Sequence, residues 1–384
     1  MSAPKRIAFL IDAIASPSAG TERQLLMLIE GLDRREFEPW LCVLKGSPWL
    51  SKSFDLCPVR VLDIESFKSP GAWMNVLRFS GWLRRERIDA LQVHFRDSSL
   101  AGIVAARLAR TPAVIAMRKN QGYWMNSAEL RLQRFLNRFV DVFVANSEAT
   151  RDWARRVEGI LPERLRVIHN GFFGETRKAG DEAARRRARQ TLDLPLDAPV
   201  AGIVANLRPV KRLDVFLRAA ARVREALPSA RFVIIGEGEE RERLQTLVRS
   251  LGLNGEVRFT GRRMDVPDLL PAFDVGVLSS DSESFSNSVV EYMAAGLPVA
   301  ATDVGGCHEA LAGGAGGILV APGDAEALGR AMVEMLSDEH RASHARAAHP
   351  RRVAEAFSRD RYLAAYAALY NELLKSTGRR ASCS

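Results

Sequence analysis

Residues 279–298 read SSDSESFSNSVVEYMAAGLP, and this stretch carries most of the information about the fold. It follows a short apolar run at residues 274–278 and passes from a small polar loop into a helical pattern that Gly296 and Pro298 end. A loop at the carboxyl end of a parallel strand, leading into a helix N-terminus, is where doubly wound α/β folds bind anions. The stretch therefore predicts a parallel sheet with an anion site at its edge.

The same stretch supplies the first candidate ligand-binding residues. The backbone amides of residues 284–288 are placed to cradle a diphosphate, and Glu283 and Glu291 are placed to bind hydroxyls at either end. A second interpretation stays open, because Ser288 and Glu291 also have the spacing of a helix capping box, in which Glu291 would only satisfy backbone amides.

Short apolar runs alternate with longer helical patterns along almost the whole chain. The strand candidates are residues 6–11, 40–44, 89–93, 113–117, 141–145, 166–168, 200–204, 231–235, 256–259, 274–278, 298–302 and 317–320. Regular alternation of strand and helix predicts parallel sheets covered by helices on both faces. More than ten strands exceed one comfortable open sheet, so two doubly wound domains in tandem are expected.

The join between the domains is expected after His169-Asn170-Gly171. This gives an N-terminal domain of residues 1–171 and a C-terminal domain of residues 172–356. The polar, highly charged stretch after the join includes the basic run at residues 185–189, for which a solvated linker helix is a sufficient explanation.

The composition is that of a globular chain. Its 384 residues exceed one ordinary core, and 47% hydrophobic with 26% charged residues argues against disorder. No apolar run reaches the roughly 18 residues that a membrane-spanning helix needs. The five apolar residues at 7–11 are too few for a signal-peptide core, so a cytoplasmic protein is expected. The four cysteines are scattered without a Cys-x-x-Cys pair, which argues against disulfides and a metal site.

The net charge of +9 is unevenly distributed. Residues 1–171 hold 26 Lys and Arg against 18 Asp and Glu, whereas the remainder holds 29 against 28. A basic first half attracts anionic lipid headgroups or phosphorylated acceptors, although solvated arginine-rich helices explain it equally well. No helix-turn-helix, zinc-finger or RNP-type signature is present, so nucleic acid is not an expected partner.

Three arginines of this half recur at helical spacing beside two aromatic residues. They are Arg131, Arg134 and Arg138, with Phe135 and Phe139 between and after them. If the rings are exposed, this face suits an anionic membrane surface at the cytoplasmic side. If the rings belong to the core, the arginines are merely solvated.

The segment from Glu283 to Glu291 resembles the E-x7-E motif of the family 4 glycosyltransferases, retaining enzymes of the group 1 type with the GT-B fold. Residues 299–309, VAATDVGGCHE, continue the resemblance. Other landmarks follow in the family's order over nearly the whole chain. They are the first loop at Gly20-Thr21-Glu22, the segments 144–148 and 167–171, and the turns beside the nucleotide base at Gly236-Glu237-Gly238 and Phe259-Thr260-Gly261-Arg262.

A basic loop at residues 205–212 resembles the loop that family members place over the donor diphosphate. Lys211 matches the family lysine, but Asn206 stands where the family arginine is usual, and Arg208 is the candidate replacement. The chain has no Asp-x-Asp, the acidic motif with which metal-dependent glycosyltransferases of another fold hold a divalent ion. Fixed cations and helix-end amides are expected to stabilise the leaving nucleotide instead, without a metal or other cofactor.

The N-terminal domain carries weaker signals. His94 ends a strand-like run, so it is a candidate for contact with the acceptor or for a simple hydrogen-bonded role. The histidine that many relatives carry after the next strand is replaced by Arg118. Arg118 and Lys119 are expected either to meet a substrate phosphate or to be solvated.

The resemblance implies two facing Rossmann-like doubly wound domains, with the last helix, residues 357–376, returning to the first domain. Residues 284–288, Arg208 and Lys211 would hold the diphosphate, Glu291 the ribose and Glu283 the donor sugar. The implied reaction is retaining transfer, by a front-face pathway, from a UDP- or GDP-linked sugar. The implied acceptor is lipid-linked or a saccharide, in cell-surface polysaccharide or glycolipid synthesis. Two alternatives stay open: a GT-B nucleotide-sugar epimerase, and a non-catalytic subunit of a polysaccharide assembly complex.

Overall fold

A computed structural model describes residues 3–17, 20–120, 122, 125–174, 181–312 and 316–381, the side chains of 376–381 excepted. The chain divides into two compact units. The N-terminal unit draws on Met1–Gly171 and Arg359–Ser384, and the C-terminal unit is Phe172–Ser358. Each unit is built around one parallel sheet.

The N-terminal unit contains a seven-stranded sheet in the order β3-β2-β1-β4-β5-β6-β7. The strands are β1 Lys5–Ile11, β2 Phe37–Val43, β3 Val59–Val61, β4 Ala90–Val93, β5 Ala113–Arg118, β6 Val142–Ala145 and β7 Leu165–Val167. The helices are α1 Gly20–Gly31, α2 Pro48–Ser53, α3 Pro70–Arg85, α4 Arg96–Ala109, α5 Ser127–Leu136 and α6 Glu148–Trp153. Alternation of apolar strands with amphipathic helices buries both faces of this sheet, as a parallel sheet requires.

The C-terminal unit contains a six-stranded sheet in the order β10-β9-β8-β11-β12-β13. The strands are β8 Val200–Val204, β9 Arg231–Ile235, β10 Val257–Gly261, β11 Val275–Leu278, β12 Val299–Thr302 and β13 Gly317–Val320. The helices are α7 Glu182–Thr191, α8 Leu213–Ala226, α9 Arg241–Ser250, α10 Val266–Leu269, α11 Asn287–Ala294, α12 Cys307–Ala310, α13 Ala325–Ser337 and α14 Glu339–Ala356. All pairs in both sheets are parallel.

The last helix, α15 Arg359–Ala381, belongs to the N-terminal unit. It buries three tyrosines, Tyr362, Tyr366 and Tyr370, which contact one another ring to ring in sequence. Tyr370 also packs edge-on against Phe9 of β1 and Phe37 of β2. The helix is thereby fixed against one face of the sheet.

All twelve predicted strands are present, and β3 is the strand that the sequence analysis missed. One prediction about charge was wrong. Arg189 of α7 is fully buried, where its guanidinium pairs with Asp274 at 2.8 Å and donates to the carbonyl oxygens of Ala272 and Ala198. Arg185 pairs with the same carboxylate at 2.9 Å. The basic run therefore fastens α7 to the sheet instead of forming a solvated linker.

Candidate functional site

The strand order of the C-terminal unit places its switch point between β8 and β11. From β8 the chain proceeds outward through β9 and β10, then returns to add β11 on the other side of β8. The loops that leave the carboxyl ends of β8 and β11, residues 205–212 and 279–286, therefore diverge from a common crevice. Doubly wound sheets bind their ligands at such a crevice.

An ion pair joins the two loops across this point. The ammonium of Lys211 lies 2.5 Å from the Oε1 atom of Glu283. The Lys211 side chain is 24% exposed and the Glu283 side chain 12%, so the pair is largely withdrawn from water but reachable by a ligand. The structure thus brings together two residues, 72 positions apart, that the sequence analysis assigned separately.

Hydroxyl groups fix the loops in this arrangement. Ser280 donates to Oε1 of Glu283 at 2.7 Å, and Ser279 donates to the carbonyl oxygen of Lys211 at 2.9 Å. Asp281 N–H donates to the carbonyl oxygen of Val210 at 2.9 Å. Within the described chain, Lys211 and Ser280 both bind the Glu283 carboxylate at Oε1, so Oε2 can accept a hydroxyl from a ligand.

The other two cations of the basic loop, Arg212 and Arg208, differ in their ion pairs and hydrogen bonds. Arg212 chelates Asp281 at 2.9 and 3.0 Å and Asp214 at 3.0 Å, and these carboxylates raise the pKa of its guanidinium. Arg208 is exposed, and its side chain forms no ion pair or hydrogen bond with the part of the chain that the structure describes. Arg208 is therefore available to an anion, as the sequence analysis expects, while Arg212 is a structural brace.

Helix α11 starts at this crevice. Ser286 is its N-cap and accepts from Val289 N–H at 3.4 Å, with the Ser288 hydroxyl 3.1 Å from that of Ser286. Glu291 is consequently the fifth helical residue and not the third, so the capping-box interpretation of Ser288 and Glu291 is wrong. Glu291 is half-buried on the first turns of the helix.

The interior of α11 anchors it to the switch point. The hydroxyl of buried Tyr292 accepts from Val204 N–H, the last residue of β8, at 2.7 Å. Phe285 is buried against Phe357, so any contribution of Phe285 to a ligand comes from its backbone. Ser284, Asn287 and Ser288 remain half-buried at the positive end of the helix dipole.

Glycines allow the neighbouring loops to approach. Gly236 has φ +148°, and a Cβ there would lie 1.9 Å from the carbonyl oxygen of Ala205. Its N–H donates to Gly261 at 3.0 Å, and the exposed Arg262 follows at the same edge. Gly305, which the sequence analysis quoted without assigning it a role, has φ +53°, and a Cβ would lie 2.0 Å from the carbonyl oxygen of Glu283. The Gly305-Gly306 pair was the signal that could have identified it.

The remaining candidates lie in the N-terminal unit. Gly20 is exposed at the first position of α1, and His94 follows β4 beside the switch point between β1 and β4. Burial, with a smaller contribution from the charge of Lys119, holds the pKa of His94 well below its usual value, so the imidazole is neutral. Burial also lowers the pKa of Lys119 to about 8.

Arg118 meets neither of the expectations stated for it. Its guanidinium is buried in a bidentate pair with Glu158 at 2.7 Å, donates to Asn137 at 2.8 Å and lies over the ring of Phe143. The side chains are 8% and 2% exposed, so Arg118 is neither solvated nor open to a phosphate. It is a structural residue of the unit.

Among the described residues, no helix has the length and apolar character needed to cross a membrane. They also hold no group of three or more His, Cys, Asp or Glu side chains arranged to bind a metal ion.

What this crevice can do chemically follows from its charges. The ammonium of Lys211, the exposed guanidinium of Arg208 on the same loop and the first amides of α11 are all groups that can bind phosphate. The carboxylates of Glu283 and Glu291 can accept hydroxyl hydrogens. The arrangement suits a molecule with both phosphates and hydroxyls.

Comparison with known proteins agrees with this geometry. A family model described as "Glycosyl transferases group 1" matches residues 184–352, and one described as "Glycosyl transferase 4-like domain" matches residues 19–171. The lipopolysaccharide core biosynthesis glycosyltransferase LpsE of Rhizobium meliloti is 35% identical over 209 residues, which cover 54% of this chain and 57% of LpsE. This chain thus spans little more than half the length of LpsE.

Two longer similarities cover most of the chain. The D-inositol 3-phosphate glycosyltransferase of Mycobacterium avium is 29% identical over 357 residues, 88% of this chain and 76% of that protein. The crystal structure of Anabaena HepE in complex with UDP matches 96% of this chain and 100% of its own, with a TM-score of 0.84 and 22% identity. The expected GT-B fold class, with two doubly wound parallel sheets, is thereby confirmed.

Proposed function

The chain belongs to the group 1 glycosyl transferases, and from that premise we propose that it moves a sugar from a nucleotide-sugar donor to a lipid-linked or saccharide acceptor. The observation that carries the proposal is the ion pair between Lys211 and Glu283 across the switch point, beside the N-terminus of α11. In this proposal the ammonium of Lys211 binds phosphate, and the adjacent carboxylate of Glu283 binds a hydroxyl.

On the donor side, the diphosphate binds Lys211, Arg208 and the first amides of α11. Charge develops on the leaving nucleotide as the sugar departs, and preorganised cations and amide dipoles stabilise that charge. Glu291 binds ribose hydroxyls, and Oε2 of Glu283 binds a hydroxyl of the donor sugar. Anabaena HepE has been crystallised with UDP and with UDP-glucose, which supports a UDP-linked donor here.

The reaction proposed is retaining, with departure and attack on the same face of the sugar. The Lys211 ammonium and the Ser280 hydroxyl hold the side chain of Glu283 in place through Oε1, and its Oε2 atom orients the sugar. The fixed cations of the site take the place of a divalent ion on the diphosphate, so we propose that the transfer is metal-independent.

On the acceptor side, the relatives indicate the class of product. LpsE is named for lipopolysaccharide core biosynthesis, and the M. avium relative for transfer to D-inositol 3-phosphate. We propose a lipid-linked or saccharide acceptor in the synthesis of cell-surface polysaccharide or glycolipid.

The proposed location is the cytoplasmic face of a membrane, and the surface formed by α5 and the short turn that follows it, Asn137–Phe139, supports it. Phe135 is 53% exposed and Phe139 40%, with the two rings edge to edge 5.4 Å apart. The rings therefore lie outside the core, which excludes the alternative in which they are core residues. Arg131 and Arg138 are exposed beside them, and neither forms an ion pair with another described residue.

Neighbouring elements extend this basic apolar face. Arg107 of α4 donates to the carbonyl oxygen of Phe139 at 2.7 Å, which brings the exposed Leu108 and the exposed Arg110 to the same region. Arg134 donates to the carbonyl oxygen of Val157 and so serves partly as a brace. Exposed rings flanked by exposed arginines fit an anionic lipid surface, which attracts each charge by about 1 kcal/mol at low salt.

Two experiments test these proposals. Thermal shift against a panel of nucleotide sugars identifies the donor, since a ligand at about 100 times its Kd stabilises by about 2.7 kcal/mol. Mass spectrometry then follows transfer to saccharide and lipid acceptors. Conversion of the nucleotide sugar to its epimer without an acceptor would assign the chain to the epimerases, and absence of donor binding would indicate a non-catalytic subunit.

Liposome co-sedimentation tests the membrane surface. Arg131→Glu with Arg138→Glu should lower binding to anionic vesicles by at least about tenfold at low salt. Arg186→Glu with Arg187→Glu, exposed on α7 of the other unit, makes the same change in net charge and should lower it far less. Equal binding to neutral and anionic vesicles, or equal loss in both double variants, would contradict the proposal.

A further inference from the structure

The C-terminal helix contacts three different elements of the N-terminal unit through its tyrosine hydroxyls. Tyr362 donates to the carbonyl oxygen of Gln24 at 3.1 Å, and the Tyr366 hydroxyl lies 3.8 Å from the sulfur of Met117. Tyr370 donates to Oε1 of Gln92 at 2.8 Å. The third contact leads from the helix toward the edge of the sheet where ligands bind.

Gln92 links Tyr370 to His94, because its side chain forms a hydrogen bond with each of them. His94 directly follows β4, where its N–H donates to the carbonyl oxygen of Leu10, and the amide nitrogen of Gln92 lies 3.1 Å from Nε2 of His94. Because the Gln92 oxygen faces the Tyr370 hydroxyl, its amide nitrogen, which can only donate, faces the imidazole. His94 Nε2 therefore accepts, and the single proton of the neutral ring resides on Nδ1.

The Nδ1 atom of His94 is buried and has no hydrogen-bond partner among the described residues. The residue as a whole is only 4% exposed. Its backbone N–H donates to Leu10, and the neighbouring Ser98 N–H donates to the carboxylate of Asp12, so the loops after β1 and β4 are joined here. A buried N–H group without an acceptor is rare in folded proteins, and a bound oxygen is the natural partner.

We propose that His94 presents its Nδ1–H as a hydrogen-bond donor to an oxygen of a bound substrate, and that Tyr370, acting through Gln92, is the positioning residue that fixes this tautomer. The oxygen is a hydroxyl or phosphate oxygen, since both occur in the substrates of the proposed function, on which this part of the inference rests. The C-terminal helix thereby contributes to the ligand site of the N-terminal unit, although the whole C-terminal unit lies between the helix and the rest of that unit in the sequence.

The tautomer is tested first, because it requires no substrate. Nitrogen NMR of the six histidines, with the His94 signals assigned by their loss in His94→Asn, should show Nδ1 protonated and Nε2 unprotonated. Tyr370→Phe keeps the ring but removes the hydroxyl, and it should yield a mixture of tautomers. Tyr366→Phe, which removes a hydroxyl one turn away that contacts Met117 and not Gln92, is the matched control and should leave the spectrum unchanged.

The ligand contact is tested with two substitutions of similar size. Asparagine places its amide nitrogen near the position of Nδ1, and glutamine places its own near Nε2. His94→Asn should therefore keep the affinity for the bound ligand within about threefold of the parent. His94→Gln should lower that affinity by about tenfold, which is the effect of one hydrogen bond. Titrations use UDP and UDP-glucose, and a third arm measures KM for the acceptor found in the transfer assay.

Each arm identifies a source for the oxygen. If His94→Gln weakens the binding of both UDP and UDP-glucose, the oxygen belongs to a phosphate. If it weakens the binding of UDP-glucose alone, the oxygen is a hydroxyl of the donor sugar. If it only raises the KM of the acceptor, the oxygen belongs to the acceptor. Unchanged values in all three arms would mean that a buried water satisfies Nδ1, and would overturn the ligand contact. Protonation at Nε2 in the parent chain, or an unchanged spectrum in Tyr370→Phe, would overturn the positioning role even if no nucleotide sugar binds.

Discussion

Replacing Lys211 with alanine removes the cation on which the proposed diphosphate site depends. Two unit charges 4 Å apart attract by roughly 4 kcal/mol at an effective dielectric of about 20. The ion pair with Glu283 is partly exposed, so solvent screening and the cost of desolvating the two charges offset most of its attraction. The net loss of folding free energy should be about 1 kcal/mol. A charge-assisted hydrogen bond to phosphate contributes about 1.5–3 kcal/mol, so affinity for UDP should fall by about 10- to 150-fold.

The two effects are separated by calorimetric titration with UDP and by thermal unfolding of the same variants. Lys211→Arg keeps the charge and should retain most of the affinity. Arg222→Ala, which removes an exposed cation paired with Glu225 on α8, is the control and should change UDP binding less than twofold. In Lys211→Ala the carboxylate of Glu283 is left unpaired beside the phosphates, so adding Glu283→Gln should recover part of the lost affinity.

Two results with these variants would contradict a direct contact between Lys211 and the diphosphate. If UDP affinity in Lys211→Ala stays within twofold of the parent while the melting temperature falls, Lys211 serves only to hold Glu283. Strict additivity of the two substitutions in UDP binding would likewise show that the pair does not act as one unit at the phosphates.

Four further outcomes are expected. Transfer activity should survive EDTA, because fixed cations neutralise the diphosphate; complete loss that manganese restores would contradict this. Glu291→Gln should weaken UDP binding severalfold with little change in melting temperature, since Glu291 lies past the capping position of α11. Gly305→Ala should abolish most activity because its Cβ would collide with the Glu283 backbone, whereas Gly81→Ala, with open space around it, should not. Burial holds the pKa of Lys119 at about 8 when folded and it returns to about 10.4 when unfolded, so protonation disfavours folding. Unfolding free energy should therefore rise with pH between these values, and Lys119→Met should flatten that rise.

The strands could be predicted because their signal is local. A run of four to seven apolar residues between turn residues identifies a buried parallel strand without reference to the rest of the chain. The exception, β3 Val59–Val61, has three residues at the sheet edge and none of them is fully buried, so its sequence does not stand out. Helix α4 begins at Arg96, earlier than an apolar pattern indicates. Its N-cap is Phe95, whose side chain cannot accept a hydrogen bond from the first turn, so the sequence does not show where this helix starts.

Buried arginines were the main source of error. An arginine in a polar stretch is ordinarily solvated, and nothing near Arg189 or Arg118 in the sequence indicates a partner. Their carboxylates, Asp274 and Glu158, are 85 and 40 residues away. Each pair is permitted only because the fold supplies a carboxylate and carbonyl oxygens at the same buried point, which compensates the cost of desolvating the charge.

The candidate residues of the C-terminal unit and those of the N-terminal unit differ in how well the sequence predicts them. The loops at 205–212 and 279–291 each carry a strand, a polar turn and a helix start in consecutive residues, so their chemistry could be predicted. Their meeting through Lys211 and Glu283 follows from the strand order, which makes β8 and β11 neighbours at a switch point. His94 has no such local pattern. Its tautomer depends on a helix whose contact residue, Tyr370, lies 278 positions from Gln92, so its role becomes visible only when the last helix is placed on the first sheet.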